Sequence, residues 1–545
     1  MPRYTYGTAR TELFTDADVL DEDIGDRVFW TRVNVGEAWP GVPTPLTWTW
    51  AGPGIDAIVC RAWTALGTYS ARERIPRRER VEERFSAISQ GRVLLNLDLM
   101  RSVGDRMPFN SGDRIETALF GAGRPSTPSR AVPGRYPFVA VMGPRTILRA
   151  RRSLLGMLPM TRAWWSDAVG RPMDVSRARD LLRESADRFV DVGEHQAVSS
   201  VAGQGAYDGL DALCRRYGLP DATGVLATDP ELAPELETVN DLWRHSRGEI
   251  NLSEFLGRHG YHAPVQAELA AHSWRMDPRP VRRLAETYTA RGDHEDPMSG
   301  QRARLSERDR LESELLRRAP RVWAPVVRGA LYAARRTVPL REVSRLQFLQ
   351  LYDVARAAAV VLAEDLVARD ALATVDDAFY LTLDELLSGQ APADGLVSKR
   401  RERRAFYQRH DVPLIFRGTP ELIEITTGSG RDEFQGLGGS PGVVEGLARV
   451  ITDPSDSDEL ADGEILVCET TNPTWASFFL VAAGVVVDIG APLSHAAILS
   501  REMGIPCVMD TKDARHCIRT GDRVRVDGSA GTVTVLERAA DLTIA

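Results

Sequence analysis

A short segment near the carboxyl end of the chain combines residue types that can carry a phosphoryl group. The β-branched run at 484–489 predicts a buried strand, and the residues after His495 are good helix formers. Ser494 occupies the position of a helix N-cap, so His495 falls in the first turn of that helix. Unpaired backbone N–H groups and the positive end of the helix dipole meet there and favour an anion. We therefore predict that a ring nitrogen of His495 attacks phosphorus and holds the phosphoryl group.

A cation close by in the sequence supports this prediction. Arg501 follows His495 by six residues, and its guanidinium can match phosphate oxygens with a fork of donors. The competing interpretation is an ordinary surface or capping histidine, which most histidines at helix starts are. Small residues on both sides, such as Ala491 and Ala496, leave the imidazole uncrowded and weigh against that interpretation.

Six segments between residues 436 and 536 follow the order of a known domain family. They are 439–442, 463–467, 470–475, 494–498, 501–508 and 521–528. Together they resemble the mobile phosphohistidine domain of phosphoenolpyruvate synthase, pyruvate phosphate dikinase and rifampicin phosphotransferase. The chain departs from the family at two positions, where Ala491 replaces a usual Gly and Asn472 a usual Asp. The resemblance implies a swivelling domain with His495 as phosphoryl carrier, and with Ser494 and Arg501 beside the phosphoryl group.

The likeness extends upstream to the substrate region of rifampicin phosphotransferases. Residues 30–47 resemble the start of that region, and residues 379–386 also match. Residues 258–264 correspond to a family segment that usually reads Tyr-Gly-His-Arg-Gly-Pro, but Tyr261 and His262 replace its His and Arg. Just beyond, Gln266 and Glu268 replace the usual Glu and Asp. The resemblance therefore leaves the substrate unidentified.

Five residues are candidates for binding the substrate. Arg341, Glu342 and Arg345 fall where the family has an Arg-Glu-x-x-Lys element, and the two arginines share one helix face because they are four residues apart. Two interpretations stay open for them, a solvated face or a pair of cations that receives the phosphoryl group beside the acceptor. Asn34 and Glu37 lie in a loop rich in Pro and Trp, which either stiffens a surface turn or lines the acceptor site.

Periodicity predicts a multidomain protein, with a mainly α-helical region followed by a β/β/α (α/β) domain. The resemblance implies that the first is a substrate domain and the second a swivelling phosphohistidine domain. We expect a lead-in at 1–25, the substrate domain at 26–410, a hinge rich in Pro and Gly at 411–437, and the phosphohistidine domain at 438–540. Apolar residues at helical spacing predict three of the helices. They are at 175–192, at 306–334 with a break near Pro320 and Pro325, and at 341–369.

Composition limits the partners. A net charge of -8 argues against a general nucleic-acid binder. No apolar run approaches the ~20 residues of a membrane span, and we see no leader peptide, so we expect a cytoplasmic protein with no membrane partner. Five cysteines without a CxxC pair fit a reducing compartment, and no His, Asp and Glu group has the spacing of metal ligands.

The resemblance implies a phosphotransferase that is incomplete without a partner. Full-length family members carry an ATP-grasp domain or a barrel that binds phosphoenolpyruvate, and we recognise neither in this chain. Only two lysines, Lys399 and Lys512, are available to hold nucleotide phosphates. We therefore expect no cofactor on this chain, ATP and Mg²⁺ on a separate ATP-grasp protein, and a small-molecule hydroxyl as acceptor.

Two alternatives stay open at this point. The phosphoryl group could activate a hydroxyl or carboxylate for elimination or condensation in natural-product biosynthesis. The chain could also be a non-catalytic phosphocarrier or scaffold for the ATP-grasp partner.

Overall fold

The computed structural model describes most of the chain, which divides into two compact units. The described residues are 18–33, 35–39, 41–70, 80–108, 110–120, 128–220, 222–229, 232, 234–289, 297–424, 430–451, 460–461, 463–471, 475–490 and 495–539. The first unit contains the residues up to Pro234, the short stretch Ala267–Ala270, and Arg308–Ile423. The second contains Glu235–Gln266, Ala271–Glu307 and the residues from Glu424 onwards.

Helices and strands are numbered separately along the chain. The helices are α1 (Val35–Ala38), α2 (Pro45–Ala65), α3 (Leu97–Asp105), α4 (Gly112–Phe120), α5 (Tyr136–Gly170), α6 (Val175–Arg216), α7 (Thr223–Leu226), α8 (Pro234–Ser246), α9 (Leu252–His259), α10 (Arg279–Thr289), α11 (Pro297–Arg318), α12 (Ala324–Thr337), α13 (Leu340–Ala368), α14 (Leu383–Ser388), α15 (Leu396–Gln408), α16 (Ala476–Val481), α17 (His495–Met503) and α18 (Ala514–Cys517). The strands are β1 (Phe29–Thr31), β2 (Ser86–Ser89), β3 (Arg92–Asn96), β4 (His410–Asp411), β5 (Ile415–Arg417), β6 (Ile423–Glu424), β7 (Glu433–Gln435), β8 (Leu437–Ser440), β9 (Val443–Val450), β10 (Ile465–Cys468), β11 (Gly484–Val487), β12 (Cys507–Met509), β13 (Arg523–Asp527) and β14 (Thr532–Glu537).

The long helix α13 is the centre of the first unit and packs on α5 and α6. It is buried along most of its length because apolar residues repeat at helical spacing, among them Leu346, Leu349 and Leu362. The predicted helix at 341–369 is therefore confirmed. The predicted helix at 175–192 is also present, but α6 continues to Arg216.

A small antiparallel sheet in the first unit has the strand order β2-β3-β1-β5. Trp30 of β1 pairs with Asn96 of β3 on one side and with Phe416 of β5 on the other. Strand β5 belongs to the segment predicted as a hinge, 411–437, and β7 of the same segment pairs in the sheet of the second unit. Swivelling about this segment stays a prediction.

One stretch of the described residues, Arg321–Ala368, is long and apolar enough to cross a membrane by length and composition. This differs from the sequence-based prediction that no apolar run approaches the length of a membrane span. In the structure, 78% of its most apolar window is buried inside the protein, as in the core helix of a globular unit. The stretch is weak evidence for a membrane span.

The second unit contains an eight-stranded sheet with the order β7-β14-β13-β9-β10-β11-β12-β8. Strands β9 to β12 are parallel to one another, and the remaining pairs are antiparallel. Every residue of β10, β11 and β12 is buried, because side chains pack on both faces of the sheet. One face packs against Phe478 and Ala497, and the other against Ala514 and Ile518. The prediction that a mainly helical region is followed along the chain by a mixed α/β domain is confirmed.

A second core of this unit is helical. It lies among residues 239–288 and consists of side chains from α8, α9, α10 and the segment after α9. Phe255, Trp274 and Tyr288 are almost fully buried there. Asn251 caps α9 by accepting a hydrogen bond from the backbone N–H of Glu254 at 2.9 Å.

Candidate functional site

The backbone places His495 at one edge of the parallel strands. Strands β10, β11 and β12 are parallel, so their carboxyl ends share an edge of the sheet. The connection from β11 leads to α17, which begins at His495 and returns to the start of β12. The carboxyl edge of a parallel sheet is where α/β domains usually bind ligands. The predicted helix start at His495 is therefore confirmed.

The immediate surroundings of the imidazole are only partly described. The predicted N-cap Ser494 lies outside the described residues, and so does the side chain of His495. Arg501 lies in the last turn of α17 and its side chain is exposed. Six residues of helix separate its Cα from that of His495 by about 9 Å along the axis. A contact between Arg501 and the phosphoryl group stays a prediction.

A buried carboxylate lies at the same edge of the sheet. Asp488 is the first residue after β11 and is 3% exposed. Its Oδ1 accepts hydrogen bonds from the Thr511 hydroxyl at 2.9 Å and from the backbone N–H of Arg515 at 3.2 Å. Burial raises the pKa of the Asp488 carboxyl to about 7, although Thr511 and Arg515 act in the opposite direction. This carboxyl therefore changes its charge near neutral pH.

Sequence reasoning missed this cluster. The signal was present, because a polar residue follows each of the three apolar strands. Glu469 follows β10, Asp488 follows β11, and Thr511 comes two residues after β12. Arg515 joins two of these strand ends, since its Nη2 lies 3.2 Å from Glu469 Oε2 and its Nε lies 3.9 Å from Asp488 Oδ2.

The predicted acceptor residues lie in the first unit. Arg341, Glu342 and Arg345 occupy the first two turns of α13, with Arg345 Nη1 3.6 Å from Glu342 Oε2. The Arg341 side chain is exposed, and those of Glu342 and Arg345 are about a quarter exposed. The structure therefore brings these three residues together at a surface.

The remaining predicted contacts lie at the limits of the described residues. Asn34 lies outside the described residues, and of Glu37 only the backbone, in α1, is described. The Pro- and Trp-rich segment around them is anchored on Ala267–Ala270. Trp39 Nε1 donates to the carbonyl of Ala267 at 3.1 Å, and Thr44 Oγ1 donates to Glu268 Oε1 at 2.7 Å.

Glu268, which replaces a family Asp, is buried and fully bonded in this anchor. Its carboxylate also accepts from the Thr47 hydroxyl at 2.5 Å and from the backbone N–H of Thr44 at 2.9 Å. Arg356 of α13 donates to the carbonyls of Glu268 and Leu269. These bonds give Glu268 a structural role in holding the segment Ala267–Ala270.

A second buried carboxylate of the second unit, that of Asp241, is surrounded by more basic groups than Asp488. Asp241 accepts from His259 Nε2 at 3.0 Å, from Arg244 at 3.0 Å and from Arg258 at 3.2 Å. Thr238 Oγ1 lies 3.1 Å from the other ring nitrogen of His259. The hydrogen bond from His259, with help from Arg258, lowers the pKa of Asp241 to about 2. Because Thr238, Asp241 and His259 are all at least 96% buried, this row of polar groups joins α8 to α9.

Within the described residues, no group of three or more His, Cys, Asp or Glu side chains is arranged to hold a metal ion. The five cysteines are all buried and unbridged.

Two family models match this chain. Residues 460–531 match the mobile domain of PEP-utilising enzymes, and residues 212–342 match the fourth domain of rifampicin phosphotransferase. The first region contains His495 and the strands β10, β11, β12 and β13 of the eight-stranded sheet. The second contains the Asp241–His259 pair and ends at Glu342.

Curated relatives are similar over part of their length. A rifampicin phosphotransferase of Streptomyces sviceus is 33% identical over 39% of this chain and 25% of its own. That of Bacillus cereus is 26% identical over 58% of this chain and 39% of its own. An uncharacterized protein of Mycobacterium tuberculosis is 32% identical over 52% of this chain and 31% of its own. The chain thus spans well under half the length of these relatives. This chain therefore contains one region similar to the mobile domain of PEP-utilising enzymes and another similar to the fourth domain of rifampicin phosphotransferase.

Proposed function

We propose that this protein is a phosphotransferase component in which His495 carries the phosphoryl group. The observation that supports this most is the position of His495 at the first residue of α17, at the carboxyl edge of a parallel sheet, inside the region that matches the mobile domain. Backbone N–H groups at a helix start favour a phosphoryl group. A neutral imidazole nitrogen can attack phosphorus and later release the group to another nucleophile. Ser494 and Arg501 assist by holding the phosphoryl oxygens.

The acceptor side of the proposal uses the first turns of α13. Arg341 and Arg345 supply two cations next to Glu342, within or just beyond the region that matches the fourth domain. Arginines stabilise the charge that spreads over the equatorial oxygens in a loose phosphoryl-transfer transition state. A carboxylate beside them can accept the proton of an attacking hydroxyl. The acceptor is therefore a small molecule with a hydroxyl group, with Asn34 and Glu37 as further contacts.

The phosphoryl donor in this proposal is a separate ATP-grasp protein that holds ATP and Mg²⁺. The scarcity of lysine in this chain supports a donor site elsewhere, because nucleotide phosphates are commonly held by a lysine. Delivery by a moving domain suits a labile phosphohistidine, because each of two separate sites can exclude water while the group is transferred.

Intact-mass spectrometry tests the histidine without knowledge of the partner. Phosphoramidate is a small phosphoryl donor: the imidazole nitrogen forms a bond to phosphorus, the P–NH₂ bond breaks, and ammonia leaves. We expect the wild type to gain about 80 Da, the mass of one phosphoryl group, in a form that acid removes. His495→Ala should show no such gain.

The matched control is His272→Ala, which removes an exposed histidine from the same unit. This variant should gain the same mass as the wild type. A full gain on His495→Ala, or no acid-labile gain on the wild type, contradicts the proposal.

A further inference from the structure

The connection that leads to His495 begins at a residue whose polar groups are bonded to both neighbouring strand ends. The Asp488 N–H donates to the carbonyl of Cys468, the last residue of β10, at 3.1 Å. Its carbonyl accepts from the N–H of Lys512 at 3.2 Å, and its carboxylate accepts from Thr511 and Arg515. Asp488 therefore fixes the start of the 488–494 connection against β10 on one side and the turn after β12 on the other.

The turn after β12 is held in an unusual backbone conformation. Asp510 has φ 58° and Lys512 has φ 74°, so left-handed residues lie on both sides of Thr511. Such a conformation is unfavourable for residues other than glycine and persists where the surroundings enforce it. In this turn it directs the Thr511 hydroxyl to Asp488. Strained backbone of this kind is concentrated at functional sites.

Arginine completes the network at the edge of the sheet. Arg515 donates its backbone N–H to Asp488, and its guanidinium contacts Glu469 after β10. The carboxyl ends of the three parallel strands are thus joined by side chains as well as by the sheet. The first residue after β11 is therefore held in place, as a reaction sensitive to geometry requires.

From this network we infer that Asp488 is a positioning residue for phosphoryl transfer at His495, acting through the chain that connects it to α17. The inference rests on the proposed function and adds a residue that touches neither the phosphoryl group nor the acceptor. Asp488 acts by fixing the first residue of the connection, with Thr511 and Arg515 as its partners.

The charge of Asp488 gives the inference a signature in pH. Burial raises its pKa to about 7, and the titratable or charged groups that act on it are Glu469, Arg515 and the thiol of Cys468. Hydrogen bonds to an ionised carboxylate are stronger than those to the protonated acid, so Thr511 and Arg515 hold Asp488 more firmly once it ionises. The positioning effect should therefore strengthen as pH rises through about 7.

The rate of phosphorylation by phosphoramidate, followed by intact mass, tests this inference. Asp488→Asn keeps the shape but places an amide NH₂ beside the donors of Arg515. We expect it to slow phosphorylation of His495 about tenfold at pH 8 and by less at pH 6, because small misplacements cost large rate factors. Thr511→Val should slow it roughly fivefold by removing one hydrogen bond, and Thr511→Ser should restore the rate.

A matched control distinguishes positioning from general damage to the domain. Asp522 is also fully buried and bonded, to Arg538 at 3.0 Å and to two backbone N–H groups. Asp522 lies at the edge of the sheet where the parallel strands begin, opposite to that of Asp488. Its carbonyl accepts a hydrogen bond from the backbone N–H of Ala448, which pairs with Ile465, the first residue of β10. Asp522→Asn should leave the phosphorylation rate of the folded protein unchanged.

The possible outcomes separate this inference from the proposed function. If the wild type is phosphorylated on His495 and Asp488→Asn and Thr511→Val react at the wild-type rate, only the positioning role is overturned. Equal slowing by Asp522→Asn, or a wild-type to Asp488→Asn rate ratio that does not change with pH, also overturns it. If the wild type takes no phosphoryl group on His495, the proposed function and this inference fail together.

Discussion

Two buried carboxyl groups of the second unit, those of Asp241 and Asp488, have pKa values that are shifted in opposite directions. Asp241 lies between helices α8 and α9 and contacts one imidazole and two guanidinium groups, all within 3.2 Å. Asp488 lies at an edge of the sheet, and the guanidinium that pairs with it in the described part of the chain, that of Arg515, is 3.9 Å away. The pKa of Asp241 is lowered to about 2, and that of Asp488 is raised to about 7.

The difference shows how burial can serve stability or function. A buried carboxylate that is surrounded by cations stays ionised and joins the elements that supply them. A buried carboxylate that is bonded mainly by neutral donors is costly to ionise, so folding is more favourable when it is protonated. Perturbed carboxyls of the second kind are concentrated at functional sites. Asp488 belongs to this kind, and it lies at the edge of the sheet where α17 begins.

The largest expected effect on stability is that of Asp241→Ala. Removing the buried carboxylate takes away the partner of His259 Nε2 and of the guanidinium groups of Arg244 and Arg258. Breaking a buried charge network of this kind costs about 3 kcal/mol or more. Hydrogen exchange of the amides in 235–289, followed by mass spectrometry, would show this loss as faster opening. Since its pKa is lowered, Asp241 contributes stability above the ordinary carboxyl range and loses it as pH falls through about 2. The difference between variant and wild type should therefore shrink in acid.

The control for this variant is Glu254→Gln. This change removes an exposed ion pair of Arg258, the α9 arginine that also contacts Asp241. Glu254 lies 2.6 Å from Arg258, and both side chains are more than 40% exposed. Exposed pairs contribute little, so the loss should stay below about 1 kcal/mol. A stability loss as large as that of Asp241→Ala would show that burial of the Asp241 carboxylate does not account for the effect of that variant.

A smaller effect, of opposite sign, is expected for Asp488→Asn. Because its pKa is raised, folding is favoured below the ordinary carboxyl range, and stability is lost as pH rises through about 7. Asparagine has no such titration. The free energy of unfolding of the variant relative to the wild type should thus rise by about 2 kcal/mol between about pH 5 and pH 8.

Urea unfolding at several pH values, read by hydrogen exchange in the β10–β12 strands, measures this quantity. If the relative stability is flat with pH, Asp488 does not titrate as its burial indicates, and the contrast with Asp241 disappears. A variant that is more stable at high pH yet slower to be phosphorylated would support a functional reason for keeping a costly carboxylate.

Local sequence patterns predicted much of the fold. The apolar period of α13 and the β-branched run of β11 are properties of single segments, and the structure confirms them. The predicted break near Pro320 and Pro325 is also present, between Arg318 and Ala324. In contrast, Pro144 and Pro159 lie inside the continuous helix α5. A proline removes a backbone donor wherever it lies, but packing decides whether the helix continues.

The candidate site was predictable only in part. His495 was identifiable because a helix start follows a buried strand after a short connection, and because the family resemblance covers it. The contact between Asp241 and His259 joins two helices, and neither residue has a local pattern that predicts the other. Asp488, Thr511 and Arg515 come together because parallel strands end at one edge. That rule could have placed Asp488 and Thr511 near each other, but it could not predict the burial that raises the pKa of Asp488.

The smallest expected effect is that of Thr238→Val, which tests how far the Asp241 network extends. The hydroxyl of Thr238 lies 3.1 Å from His259 Nδ1, and valine replaces it with a methyl group of similar size. One buried hydrogen bond should be lost, which costs about 1 kcal/mol, and Thr238→Ser should recover most of it. Thermal unfolding combined with hydrogen exchange in α9 measures the loss. A loss as large as that of Asp241→Ala would mean that the imidazole is held chiefly by the hydroxyl, and the network would then depend on neutral donors as Asp488 does.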